Sequence, residues 1–311
     1  MLHLPSGPDL RKLRRRSDRN NDRSNSKQGK KLKISKLHPA LGAEISGVDL
    51  SRPLDEPTRI AIRRAFDDNI VIVARDQNLD EAGQLCAAEL FGKVAIRRRP
   101  PGKTPGGEFD TPFMLVTTII QPNGQSLGAF GDGEMWFHHD TSYYPQPHRA
   151  TLLFAMKLPT WGGQTCFSNM YKAYENIPRK LRDRLEGRRV LQIHEYKRRE
   201  RLNLDEVDFD KVRHFEQPIF ITHPATGRKA LYISRLMSAR IEGLSKDESE
   251  DALEQLFEIS EDPAIVFEHE WKLGDMVIWD NWCSIHARKD FPRDQERLMR
   301  RCTIEGRSME F

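Results

Sequence analysis

The second half of the chain predicts a mainly β domain with flanking helices, a sandwich or barrel with the helices packed outside. Three observations carry that reading. Short apolar or alternating runs recur from residue 135 to residue 305, separated by turn residues. Only four segments have helical periodicity. Between the two regions lies a long Gly- and Pro-rich stretch, 97–134, of the kind that forms lids or binding loops over a rigid scaffold. Many strands and few helices favour a fold with an interior in which a site can sit.

Taken in order, "KLKISKL" and "GAEISGVDL" read as short strands. Pro57 opens a helix to about Asp68, with Ile60, Ala61 and Phe66 available for a buried face. "IVIVAR" (70–75) is a buried strand and 80–91 a helix ending near Gly92. "MLVTTII" (114–120) is a strand within the loop-rich stretch. Strands follow at 135–143, 150–157, 164–169, 190–196, 217–222, 229–234, 264–271, 275–287 and 297–305, with "HPATGRK" as a turn. One helix is expected over 172–187. Another begins at Ser245, where Glu248 three residues on makes a capping box.

The 311 residues, 38% hydrophobic and 31% charged, suit one domain of ordinary core size. No run approaches the ~18 apolar residues of a membrane span, and no apolar segment near the N-terminus reads as a secretory signal. Cys86, Cys166, Cys283 and Cys302 are widely spaced and form no C-x-x-C pair. They read as free thiols in a reducing, cytoplasmic setting. The net charge of +4 is unevenly spread: residues 1–33 hold eleven Lys and Arg against three Asp, a surplus of +8, so residues 34–311 sum to −4. Residues 1–32 are therefore expected to be a disordered basic tail, and 33–311 a single domain. Nucleic-acid binding through that tail is one alternative function, against which the acidic body argues by repelling phosphate.

"MWFHHDTSYY" (135–144) carries the chemistry. On a strand, alternate residues share a face, so His138 and Asp140 point one way and His139 the other. Their Cα atoms would be about 6.6 Å apart at ~3.3 Å per residue, close enough for an imidazole and a carboxylate to meet on one ion. A further histidine would complete the two-histidine, one-carboxylate face of non-haem Fe(II) oxygenases. A zinc-dependent hydrolase could use the same donors. By itself H-x-D is weak, since about one such triplet is expected by chance with ten histidines, and His214-Phe215-Glu216 has the same form. His194, His214, His223 and His269 all lie in or beside strands, and periodicity does not choose among them.

"GEMWFHHDTSYYPQPHRATLLFAMKLPTWGGQTCFSNMYKAYENIP", the downstream "GDMVIWDNWCSIHAR" and "ERLMRRCTIEG", and the earlier "LGAEISGVDLSRPL" and "FDDNIVIVARDQNLD" together resemble the taurine dioxygenase/2,4-dichlorophenoxyacetate dioxygenase family. The likeness runs from about residue 35 to 306. It implies a double-stranded β-helix (jelly-roll) core and an Fe(II)- and 2-oxoglutarate-dependent dioxygenase using O₂. The family's metal ligands fall on His138, Asp140 and His286. The arginine for the cosubstrate's distal carboxylate falls on Arg297, eleven residues after the distal histidine, and a hydroxyl partner on Thr165. Arg301 matches the arginine that meets the substrate's acidic group, with Arg300 facing away by alternation. Where the taurine enzyme has a histidine for the sulfonate this chain has Arg97, which argues against taurine. The expected substrate is a small organic anion, a sulfonate, aryloxyalkanoate or related carboxylic acid, with Trp136 and Phe137 available to line an apolar pocket. The resemblance also implies a homo-oligomer, dimer or tetramer.

Overall fold

The computed structural model describes residues 31–97, 111–130, 133–194 and 203–311. Residues 1–30 of the expected tail, and 98–110 and 131–132 of the expected lid loops, lie outside the described residues.

Two sheets frame the domain. A seven-stranded sheet runs Lys33–Lys36, Ala43–Ser46, Val71–Ala74, Met276–Asp280, Ala150–Lys157, Leu298–Ile304, Met114–Thr117; a four-stranded sheet runs Val266–His269, Thr165–Asn169, Ser284–Arg288, Met135–His138. All pairings are antiparallel except that of Ala43–Ser46 with Val71–Ala74. The period of two in the sequence sorts side chains between two cores. Val71, Val73, Leu153, Ala155, Val277, Trp279 and Met299 of the larger sheet share one core with Phe167, Phe267 and Ile285 of the smaller. Their alternates Ile72, Ala74, Leu152, Phe154, Met276, Ile278 and Cys302 face the other way, onto the helices Glu56–Asn69 and Glu81–Ala88. Two sheets closed over one core with helices outside form a jelly roll.

Local chemistry sets the element ends. Asp55 accepts from the Thr58 amide to start the first helix, with Pro57 in its first turn. The capping box expected at Ser245 forms, its hydroxyl and the Glu248 carboxylate satisfying each other's backbone amides, and opens Lys246–Ser260. Three expectations are corrected. The helix over 172–187 is two, Met170–Asn176 and Arg179–Leu185, because Pro178 pushes Ile177 out of the helical region (ψ 126°). The strand over 217–222 is two pieces, His214–Pro218 and Phe220–Thr222. The run 275–287 is two strands joined by a turn, in which the Asp280 carboxylate accepts from the Trp282 amide at 2.9 Å and its carbonyl accepts from the Ser284 hydroxyl at 2.6 Å. A strand at Ser238–Ile241 was not expected; it joins Arg189–Ile193 and His214–Pro218 in a three-stranded sheet. Among the described residues no helix is long and apolar enough to cross a membrane.

Phe167 is fully buried where the two sheets meet, its ring 5.4 Å from Trp279 and 6.2 Å from His286. Phe167→Ala should lower stability by about 3–5 kcal/mol in chemical denaturation, and a loss under 1 kcal/mol would show that the inter-sheet core is not placed as described.

Candidate metal and substrate site

The strand Ser284–Arg288 lies between Thr165–Asn169 and Met135–His138, and its register sets His286 directly opposite His138. The two imidazoles lie side by side, centroids 4.1 Å apart, on the buried face of the smaller sheet. The run expected as one strand over 135–143 stops at His138. Thr141 takes a φ of 60° and its hydroxyl bonds the Asp140 carbonyl at 2.7 Å, so Asp140 sits in a turn. That turn, and not strand alternation, aims the carboxylate.

His138 Nε2 lies 4.0 Å from Asp140 Oδ1, and His286 Nε2 lies 4.0 Å from Oδ2. These gaps are too long for hydrogen bonds, yet the three donor atoms lie within 4.8 Å of one another. An ion with bonds of roughly 2.0–2.2 Å fits among them. The tautomer suits it: His138 Nδ1 lies 2.9 Å from the Trp136 carbonyl, which only accepts, so Nδ1 carries the proton and Nε2 presents a lone pair. Burial pushes both histidines below their ordinary pKa and keeps them neutral. Burial would raise Asp140, but Arg301 and the Thr151 hydroxyl hold it well below the usual carboxylate range. The donor set at neutral pH is therefore two neutral imidazoles and one carboxylate.

Asp140 is held by a buried relay that sequence reasoning missed. The Thr151 hydroxyl donates to Oδ2 at 2.7 Å, and the Asn281 amide donates to the Thr151 hydroxyl at 2.9 Å. His139, packed on Tyr232 with centroids 4.2 Å apart, donates from Nδ1 to the Asn281 carbonyl at 2.8 Å. Arg301 Nη2 adds a contact to Oδ2 at 2.6 Å. Oδ2 is thus committed to the protein. A clue was present: Thr151 is the second residue of "ATLLFAMK", a strand buried on both faces over its first six residues, where an unpartnered hydroxyl would be costly.

Arg297 and Thr165 line the same cavity as His138, Asp140 and His286. Arg297 is only 2% exposed, and no carboxylate pairs with it among the described residues; its Nε lacks a hydrogen-bond partner. Burial, with Arg288 nearby, pulls its pKa down to about 9, so the folded chain holds this charge at a cost. Gly163 lies against it at a φ of 70°, a backbone conformation that favours glycine. Thr165 Oγ accepts from the Trp271 indole at 3.0 Å, which leaves its own proton to donate. Arg288, also unanticipated, is anchored on the Phe130 and Gly133 carbonyls.

Arg301 faces inward, as alternation predicts, and borders both this cavity and a larger one that Arg97 also lines. Arg300 faces the other way and donates to Gln84 Oε1 and the Leu79 carbonyl, each at 2.7 Å. Trp136 and Phe137 line neither cavity. Trp136 packs on Tyr143, Leu236 and Met237, and Phe137 on the main core; Phe130, Tyr143 and Tyr144 wall the larger cavity instead.

A second buried cluster, His223, Asp280 and Cys283, has comparable spacing. It is already closed, since His223 Nε2 bonds Asp280 Oδ2 at 3.0 Å and Arg149 pairs with the same oxygen.

The family model described as "Taurine catabolism dioxygenase TauD, TfdA family" matches residues 33–303. Pentalenolactone F synthase of Streptomyces avermitilis is 32% identical, covering 84% of this chain and 90% of its own. The alpha-ketoglutarate-dependent 2,4-dichlorophenoxyacetate dioxygenase of Cupriavidus pinatubonensis is 29% identical, with 86% and 95% covered. Among solved structures, a taurine dioxygenase from Burkholderia xenovorans superposes with a TM-score of 0.72 at 26% identity over 89% of this chain and 92% of its own. AAD-2 in complex with Mn(II) and N-oxalylglycine also reaches 0.72, at 25% identity over 90% and 100%.

Thr151→Val keeps the shape but leaves Asp140 Oδ2 without its hydroxyl donor. It should weaken Fe(II) or Co(II) binding about 10–100-fold in a metal titration; unchanged affinity would show that the relay does not position the carboxylate.

Proposed function

Because this chain belongs to the taurine catabolism dioxygenase TauD/TfdA family, and with it is an Fe(II)- and 2-oxoglutarate-dependent dioxygenase, we propose that it hydroxylates a small anionic organic substrate at the site of His138, Asp140 and His286. The substrate would be a sulfonate, an aryloxyalkanoate or a related carboxylic acid, with succinate and CO₂ as coproducts. The observation that supports the reading best is the pair of neutral imidazoles facing one ionised carboxylate across 4.0 Å, with Arg301 on that carboxylate and on the wall of the larger cavity.

Iron held there supplies the O₂ chemistry that couples oxidative decarboxylation of 2-oxoglutarate to hydroxylation of the substrate. The rest falls to the protein. His138, His286 and Asp140 would hold the ion. Arg297 takes the distal carboxylate of 2-oxoglutarate in a bidentate fork, and the Thr165 hydroxyl donates to the same group. Leu153 and Trp279 wall the cavity and exclude water. Arg301 takes the substrate's anionic group at the border of the two cavities. Where the hydroxylated carbon carries O, S or N, the product then falls apart into a carbonyl compound and a released alcohol, sulfite or amine. A zinc hydrolase at the same donors would leave the buried Arg297 charge without a purpose. The four free cysteines, three of them buried, fit a reducing cytoplasm.

Anaerobic addition of Fe(II) and 2-oxoglutarate should produce a weak visible charge-transfer band that Zn²⁺ cannot give, and His138→Ala should abolish it. A protein that shows no band with both additions is not using this site as assigned. Arg297→Met removes a buried unpaired charge, so the metal-free variant should be at least as stable as the parent in denaturation. Its affinity for 2-oxoglutarate should fall about 100-fold, from two charge-assisted bonds of ~1.5 kcal/mol each; calorimetry showing full affinity would remove Arg297 from the site. Succinate release should occur with anionic candidates, and turnover of uncharged compounds alone would refute the substrate class.

A further inference from the structure

The larger cavity has about 530 Å³ of space, in the range that holds a drug-sized ligand. A two-carbon sulfonate would leave most of it unfilled. Its apolar wall comes from Met114, Phe130, Tyr143 and Tyr144, a surface suited to an aromatic ring or a body of similar bulk.

Its charge is one-sided. Arg97, Arg213 and Arg301 all line it, and no Asp or Glu does among the described residues. Asp140 balances Arg301 from below, which leaves Arg213 as a cation facing the cavity. Arg213 lies over the Tyr144 ring, its guanidinium carbon 5.4 Å from the centroid, and bonds the Tyr144 hydroxyl. That fixes the arginine on the cavity wall with a neutral partner, and no carboxylate pairs with it among the described residues. Asp208, on the same loop, is taken by Lys211. His148, on the same wall, stays neutral: burial first, then Arg301 and Arg97, bring its pKa to about 4.

We propose, resting on the oxygenase reading above, that the substrate is a dianion. One anionic group sits at Arg301 next to the carbon that is hydroxylated, and a second, on the far end of an apolar body of about aromatic width, sits at Arg213.

The test uses two probes of equal length, 4-propylphenoxyacetate and 4-(2-carboxyethyl)phenoxyacetate, which differ in a terminal methyl against a carboxylate. Each is titrated calorimetrically, without oxygen, into full-length protein loaded with Fe(II) and 2-oxoglutarate. The dianion should bind about tenfold tighter or better, with an advantage that shrinks as salt is raised. Arg213→Leu should bring the ratio of the two affinities to about one, and Arg213→Lys should restore part of it. Equal affinities, tighter binding of the propyl compound, an Arg213→Leu ratio equal to that of the parent, or no binding of either probe would each overturn the proposal. The visible band keeps the two readings apart. A normal band without dianion preference sinks the dianion proposal alone. A missing band sinks the cosubstrate assignment, while the calorimetric ratio, taken on the metal-free protein, still decides for or against Arg213.

Discussion

The register between two antiparallel strands is the constraint from which the site follows. With His286 opposite His138, two imidazoles from positions nearly 150 residues apart lie side by side, ring centroids at 4.1 Å. A one-residue slip would turn each strand's inward set outward, putting Ile285 or Ala287 where His286 stands. The register is held from both sides. Ser284–Arg288 pairs along its whole length with Thr165–Asn169; Phe167, on the face of His286, buries between the sheets, and Ile285, on the alternate face, is fully buried as well. The turn at 281–283, closed on the Asp280 carboxylate, fixes where that strand begins. Hydrophobic burial and one tight turn thus set the distance between two donor atoms.

Asp140 answers to different forces. It lies beyond the strand end, in a turn whose backbone would allow several directions, and hydrogen bonds choose among them. The Asn281 amide, Thr151 hydroxyl and Oδ2 form a chain with every link between 2.7 and 2.9 Å. His139 ties the Asn281 carbonyl into the same unit. The second histidine of "HHD" therefore acts on the site through the backbone of residue 281. This explains the cost of burying it, since a fully enclosed imidazole without a donor role would only destabilise the fold.

How far the sequence revealed this depended on which force set each feature. Strands whose faces are sorted by burial, such as Ala150–Lys157 and Leu298–Ile304, were legible within a residue or two, and alternation alone put Arg300 and Arg301 on opposite faces. Helix starts were legible where a first-turn proline or a capping box announces them, at Pro57 and Ser245. Features set by turns were not. The break at Asp280–Ser284 sits inside an apolar run, and the end of the strand at His138 rests on the φ of Thr141, a residue with no bias toward positive φ. The face shared by His138 and Asp140 was anticipated for the wrong reason: a turn, not pleating, turns the carboxylate. The convergence of His286, Arg297 and Thr165 is long-range, and no local pattern contains it; only the resemblance over many separated motifs pointed there. Thr151 and Asn281 were readable in principle as polar residues in an apolar strand and turn, but their partners were not.

The two buried acid–histidine clusters show where in this fold to look for chemistry. Asp280 is saturated: Arg149 and His223 share one oxygen and the Trp282 amide takes the other, so that cluster spends its polar groups on holding the turn. Asp140 is held just as firmly on Oδ2, yet its gaps to both imidazoles stay at 4.0 Å, and in the same cavity Arg297 is buried with no counter-charge among the described residues. Packing for stability alone would close those gaps and expel that cation, since a buried unpaired charge costs several kcal/mol. A fold that tolerates both in one cavity, while satisfying an equivalent cluster nearby, keeps polar groups there that packing does not use, which is what the proposed cation among three donors and anion at the arginine require.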